Sequence, residues 1–279
     1  MSSGRPGVSS AGRSRPLRPP RGPAPPASTL APAASTAVPA ASTLAPAFYA
    51  ARTGGWRDYW TLLHPPYTVW HLSYVLLGAA LSPAPDPRIV LGALVCFGLG
   101  TGVAAHAFDE LRGRPLRTTI PTPVLVGLGS AALVIAVALG LFATTILGPL
   151  FLLFVALGAA LVVLYAFEAP FVHSDVGFAL AWGAFPLVTA AVATGAPPLP
   201  TILGGLAAAL LSLAQRRLST RARSIRRRAV AVAGEVTYAD GSRESLDASS
   251  LLAAPEAALS LLWLAVFAVA LAVLVSRWI

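Results

Sequence analysis

The stretch TPVLVGLGSAALVIAVALGLF, Thr122–Phe142, contains no charged residue. Its length meets the roughly 20 apolar residues that a helix needs to cross a bilayer core. Similar stretches recur on either side. Together they predict seven spans: Tyr67–Leu81, Arg88–Phe108, Thr122–Phe142, Ile146–Phe167, Val176–Gly195, Thr201–Ala214 and Glu256–Ser276. Composition points the same way. Of 279 residues, 56% are hydrophobic and 11% charged, against about 25% charged in a soluble domain. The expected fold class is therefore all-α: a polytopic membrane helix bundle of about seven transmembrane helices, spanning residues 51–279. Proline clusters at Pro83, Pro85 and Pro87, and at Pro197, Pro198 and Pro200, break the chain after the first and fifth spans.

All 20 basic residues are arginine, and the formal net charge is +9. Their placement orients the bundle. Arginines crowd the segment before the first span, the second-to-third loop (Arg112, Arg114, Arg117) and the sixth-to-seventh loop, residues 215–254. The third-to-fourth and fifth-to-sixth loops carry none. Positively charged loops stay on the cytoplasmic side, so the N-terminus is expected in the cytoplasm, the C-terminus outside, and the protein in the cell membrane. With these spans present, the basic excess reads as contact with membrane lipid and not with nucleic acid. Residues 1–50 are rich in Pro, Ala, Ser and Arg and repeat ASTLAPA at Ala27–Ala33 and Ala41–Ala47. They offer too little apolar surface to offset ordering entropy and are expected to be a disordered tail. No apolar run follows the basic start, so they are not read as a secretory signal. Cys96, the only cysteine, excludes an internal disulfide and reads as a packing residue. Within the long loop, Val230–Tyr238 and the turn Ala239-Asp240-Gly241-Ser242 predict a small hairpin. Ser249 or Ser250 is expected to cap a short helix leading to Pro255.

Three polar clusters stand at the expected inner ends of spans. The first holds His106, Asp109 and Glu110, with His106 facing both acids at helical spacing. That pattern suits a divalent metal, a proton relay or an interfacial hydrogen bond. The second holds Tyr165, Glu168, His173 and Asp175, and a buried Glu168 would need Arg114 or His106 beside it. The third runs from Gln215 to Arg228, with seven arginines in 14 residues, including Arg216 and Arg221. Guanidinium groups bind phosphate oxygens in pairs, and the same residues also satisfy the topology rule. His64 and His71, at the start of the first span, read as hydrogen-bonded helix residues. No Walker loop, dinucleotide fingerprint, H-E-x-x-H, C-x-x-C or nucleophile elbow is present.

Several of these residues resemble the UbiA-type intramembrane prenyltransferase superfamily. Asp109 aligns with the middle acid of that family's first acidic motif, and Arg114-Pro115-Leu116 with the R-P-L after it. Tyr165 aligns with the tyrosine of its second loop. Gly78-Ala79-Ala80-Leu81 resembles the end of its first helix, and Gly183-Ala184-Phe185-Pro186-Leu187 its G-x-x-P-L. The likeness covers roughly residues 57–215. Ala105 and His106 replace the motif's leading pair, Gly113 stands near its third acid, and Gln215–Arg228 stands where the second acidic motif belongs. The resemblance implies a reduced UbiA-like fold that transfers or binds an isoprenoid diphosphate at the cytoplasmic face, with a lipophilic acceptor. It implies Mg²⁺ held by Asp109 and Glu110, and catalytic roles for His106, Asp109 and Tyr165. It places substrate contacts at Arg114, Glu168, His173, Gln215, Arg216 and Arg221. Two other readings fit the same residues: a non-catalytic lipid- or partner-binding protein on this fold, and a transporter. The spans carry almost no polar groups at mid-membrane for a transporter to use.

Overall fold

The computed structural model describes residues 44–279. Of the disordered tail expected for residues 1–50, residues 1–43 lie outside them, and residues 44–50 are packed on the bundle, with Pro46 and Ala47 buried. The chain is a bundle of helices: α1 Trp56–Leu62, α2 Pro65–Ala80, α3 Pro87–Leu111, α4 Thr122–Leu147, α5 Pro149–Ala166, α6 Asp175–Ala193, α7 Pro198–Arg228 and α8 Ala248–Val275. A two-stranded antiparallel hairpin, β1 Gly234–Thr237 and β2 Arg243–Leu246, precedes α8. Six of the helices, α3 to α8, are long and apolar enough to cross a membrane, and the chain is a multi-pass membrane protein on that ground. The helix starts are written in the sequence. Pro65, Pro87, Pro123, Pro149 and Pro198 occupy first-turn positions, where no N–H is needed. Asp86 accepts from the Arg88 N–H, and Ser174 from that of Gly177.

Of the seven expected spans, the one at α2 falls short in length. Its 16 residues rise about 24 Å, less than the roughly 30 Å of a bilayer core. It is short because it is enclosed: α3, α6, α7 and α8 pack around it. Trp70, Tyr74, Val75, Ala79 and Ala80 are fully buried. Trp70 Nε1 donates to the Tyr74 hydroxyl at 2.5 Å, which also accepts from Ser212 at 3.2 Å. Against α6 the approach is so close that a Cβ on Gly78 would collide with the Leu187 carbonyl. Small residues at such crossings let backbones meet where lipid supplies no hydrophobic drive between helices. The outer helices turn apolar faces outward, as Val134, Phe142 and Leu153 show.

Two helices are interrupted by π-helical segments, Gly98–Ala105 in α3 and Leu180–Ala184 in α6. A π segment shifts the hydrogen-bond ladder by one residue and frees a carbonyl. Side chains use the carbonyls here: His106 Nδ1 bonds Gly102 O at 3.1 Å, and His71 Nδ1 bonds Trp182 O at 2.8 Å. Both segments line one apolar cavity of about 500 Å³. Phe97, Leu133, Ala136, Val162, Trp182 and Phe185 contribute to its wall.

Several boundaries differ from expectation. The helix expected to end at Ala214 continues to Arg228, so the first third of the presumed loop is helix α7. At 31 residues it is about 46 Å long and overshoots the bilayer core. The hairpin forms as expected, but Gly234–Thr237 is only its first strand. The cap before α8 is Asp247, in a reciprocal box with Ser250, and the helix runs unbroken through Pro255.

Candidate functional site

At the arginine-rich end of the bundle, α3, α5, α6 and α7 bring polar side chains together around the start of α2. His64 precedes α2 at this end. Pro65 disfavours right-handed helical geometry at His64, which stands at φ 48° in the left-handed region as α2 begins. Its ring stacks on that of His106, with centroids 4.0 Å apart. Burial, reinforced by His106, Arg227 and Arg223, holds the His64 imidazole well below its usual pKa and therefore neutral. His106 Nδ1 and His71 Nδ1 each face a carbonyl oxygen, so each carries a proton on that nitrogen.

A chain of rings continues from there. His71 lies 6.3 Å from Trp182, Trp182 meets Tyr165 edge-on at 5.1 Å, and Tyr165 stacks on His173 at 4.9 Å. Arg216 closes this wall. It donates to Asp175 Oδ1 at 2.8 Å and to the His173 carbonyl at 2.6 Å, and it lies over the Phe178 ring. Asp175 takes Arg217 as well, at 3.0 Å.

Four buried polar atoms of this region find no partner among the described residues: His64 Nε2, His173 Nδ1, Trp182 Nε1 and Gln215 Oε1. Buried polar groups are nearly always bonded, so these atoms offer bonding capacity that a ligand or water can use. The charges tell the same story. Asp109 accepts no hydrogen bond and joins no ion pair among the described residues, although Arg223, Arg227 and His173 act on it electrostatically. Arg223 and Arg227 are half-buried and equally without an ion pair. Arg216, Arg223 and Arg227 share one face of α7, at intervals of seven and four residues. The chamber they form adjoins the apolar cavity at Trp182, which lines both.

No protein family, curated protein or solved structure matches this chain. What the site does is therefore argued from its residues.

The structure gathers His106, Asp109, Tyr165, His173 and Arg216, all expected from sequence, while Gln215 is buried on α7 with its Oε1 unpartnered among the described residues. It does not bring Glu110, Arg114, Glu168 or Arg221 to them. Glu110 is completely buried and turned away. Its Oε2 accepts from the Leu116 N–H at 2.9 Å, and its Oε1 from the Thr118 N–H and hydroxyl at 2.9 and 2.8 Å. It therefore does not face His106, and both its oxygens are engaged by the loop after α3. Arg114, at φ 54°, spends its guanidinium on the carbonyls of Thr118 and Ile120 and on Thr122 Oγ1. Glu168 is exposed and pairs with Arg112 at 3.4 Å, not with Arg114 or His106. Arg221 faces outward. Among the described residues no group of three or more His, Cys, Asp or Glu is placed to hold a metal. The donor set thus does not fit Mg²⁺: Asp109 stands alone, amid cations.

Residues to which the sequence gave no site role of their own complete the chamber: Tyr49, Tyr67, Trp182, Arg223, Arg227 and His64, which was expected as a hydrogen-bonded helix residue but precedes α2 with its Nε2 unpartnered among the described residues. The signal for the two arginines was present but hidden. Their shared face exists only if α7 continues past Ala214, and a loop has no faces. His64 was marked by the Pro-Pro that follows it. Tyr49 falls in a segment that composition assigned to the tail.

Proposed function

We propose that the chain is a seven-span cell-membrane protein of UbiA-like architecture that binds an isoprenoid-type lipid phosphate or diphosphate. Helix α2 is the first span, the N-terminus is cytoplasmic, and the site opens at the cytoplasmic end. The observation that carries this reading is the junction of two compartments. One is a polar chamber where, among the described residues, Arg223 and Arg227 have no ion-pair partner and His64 Nε2, His173 Nδ1 and Trp182 Nε1 no hydrogen bond. The other is an apolar cavity of about 500 Å³ that begins at Trp182. A ligand filling both has a charged head and a branched or linear hydrocarbon tail, and the cavity volume falls in the range of small-molecule sites. Gly78 packing on Leu187 joins two of the segments that carry the UbiA resemblance, which supports the architecture.

The head is neutralised by guanidinium groups in place of a metal. Arg216, Arg223 and Arg227 supply planar donors suited to phosphate oxygens. Neutral His64, the His173 ring and the Trp182 indole supply further polar contacts. The reading is of a binder whose cation site has lost the means to hold Mg²⁺, so release of diphosphate is not part of it.

The test is binding of labelled geranylgeranyl diphosphate to the full chain in nanodiscs, with Mg²⁺ or EDTA. Binding is expected in both, lost on Arg223→Gln with Arg227→Gln, and tightened several-fold by Asp109→Asn, which removes an anion facing the phosphate. Binding that requires Mg²⁺ and disappears in Asp109→Asn would overturn the arginine reading in favour of a metal-dependent transferase site. No binding of this or a shorter prenyl diphosphate would overturn both.

A further inference from the structure

Residues 44–50 belong by composition to the N-terminal tail, yet they are packed onto the chamber. Pro46 and Ala47 are buried, and the Ala50 N–H closes a turn on the Ala47 carbonyl at 3.1 Å. Phe48 meets Tyr67 edge-on, and the Tyr49 ring lies 5.4 Å from His64 and 5.5 Å from Tyr67. Burial pushes the Tyr49 hydroxyl well above its usual pKa, so it stays neutral. At the far end the Ala51 N–H is held by Thr61 Oγ1 at 3.1 Å.

The bonds that hold this segment are unusual in kind. Arg226 donates to the Ala45 carbonyl at 3.3 Å, and Arg227 to the Pro46 carbonyl at 3.1 Å. Arg226 is also held by Glu256 through two parallel bonds, but Arg227 has no acid partner among the described residues. Its one hydrogen bond among them is the Pro46 carbonyl. A small hollow of about 20 Å³ remains beneath the segment, bordered by Tyr49, His64, Tyr67, Ser219 and Arg223. That is room for about one water and not for a phosphate.

We propose that residues 44–50 form a strap that occupies the phosphate subsite from within the chain. The Pro46 carbonyl takes the place of a ligand oxygen on Arg227, and Tyr49 fills the space above His64 and Arg223. The inference rests on the lipid-phosphate reading above. A guanidinium bonds an ionised phosphate oxygen more strongly than a neutral carbonyl. A phosphorylated head therefore displaces the strap, and the strap sets a threshold that weaker anions do not pass. The carbonyls also shelter Arg227 from chloride and from headgroups of ordinary lipid while the site waits.

Strap position and ligand binding are measured separately. Cys96 is the only native thiol, so Cys96→Ser with Ala47→Cys gives a reporter at a site 6% exposed. Ala239→Cys, in the exposed turn of the hairpin, serves as control. In nanodiscs, Ala47→Cys is expected to react with a membrane-impermeant maleimide at least tenfold more slowly than the control. Saturating geranylgeranyl diphosphate is expected to raise that rate several-fold, and Tyr49→Ala or Phe48→Ala to raise it without ligand while tightening binding. A reporter that reacts as fast as the control in unliganded protein overturns the strap. Ligand that binds yet leaves the rate unchanged overturns the competition while leaving the lipid-phosphate reading intact. Slow labelling that either variant relieves, with no diphosphate bound by any form, sinks the lipid-phosphate reading and the competition with it.

Discussion

Glu110→Ala separates the structural reading of the acidic motif from the metal-binding one. Glu110 anchors the turn after α3, a segment with three left-handed residues: Gly113 at φ 78°, Arg114 at φ 54° and Arg117 at φ 57°. Non-glycine residues in that region cost roughly 1–2 kcal/mol each, so the loop needs firm attachment. Glu110 provides it with three hydrogen bonds to Leu116 and Thr118. Alanine strands two amides that are buried with their residues, Leu116 and Thr118. Each unsatisfied buried donor costs about 1–3 kcal/mol, so the loss is about 2–6 kcal/mol. Glu110→Gln keeps one acceptor oxygen, which serves Thr118, and turns an NH₂ toward the Leu116 N–H. Its expected loss is about 1–3 kcal/mol. Thermal unfolding in a fixed detergent, with hydrogen exchange of the peptide spanning 111–121, reads both changes. The exchange should rise in the order wild type, Gln, Ala. Stability within about 0.5 kcal/mol of wild type and unchanged exchange would refute the anchoring argument. Metal-dependent ligand binding lost in such a stable variant would return Glu110 to the site.

Other outcomes follow from particular contacts. Gly78→Ala drives a methyl into the Leu187 carbonyl and should destabilise the bundle by about 1–3 kcal/mol in the same unfolding assay. Gly100→Leu places its side chain into the apolar cavity, where the nearest obstacle to a Cβ is Val162 Cγ2 at 4.0 Å. It should weaken geranylgeranyl diphosphate at least tenfold while leaving inhibition by inorganic pyrophosphate unchanged. The strap should respond to pH through His64, which faces His106, Tyr49, Tyr67, Arg223 and Arg227. Its pKa is depressed while the strap is closed, first of all by burial, and rises when water reaches it. The closed form therefore loses ground as pH falls. Lowering pH from 7.5 to 5.5 should favour opening, read as faster maleimide labelling of Ala47→Cys after correction by the Ala239→Cys control. His64→Asn, which tolerates the left-handed backbone, should flatten the profile.

Membrane class was legible in the sequence because it depends on local quantities. Uninterrupted apolar length decides whether a segment crosses a bilayer, and caps such as Ser174 and breaks such as Pro197-Pro198 act within a turn. The long apolar helices therefore fell close to their expected places. Part of the site was legible as well: His106, Asp109, Tyr165, His173 and Arg216 were marked by being polar at the ends of apolar runs. The rest turned on tertiary packing. Whether Glu110 faces a ligand or a loop depends on which amides of residues 116–118 fold back over it, and neighbouring acids in a helix look alike in one dimension. Whether Arg223 and Arg227 face the chamber depends on α7 staying helical beyond the membrane, where its buried Ser219, Ala222 and Ile225 find other parts of the chain to cover them. Residues 44–50 have too little apolar surface to order themselves. They are ordered by a surface already built, formed by Tyr67, His64 and the arginines of α7, and only the folded bundle brings that surface together.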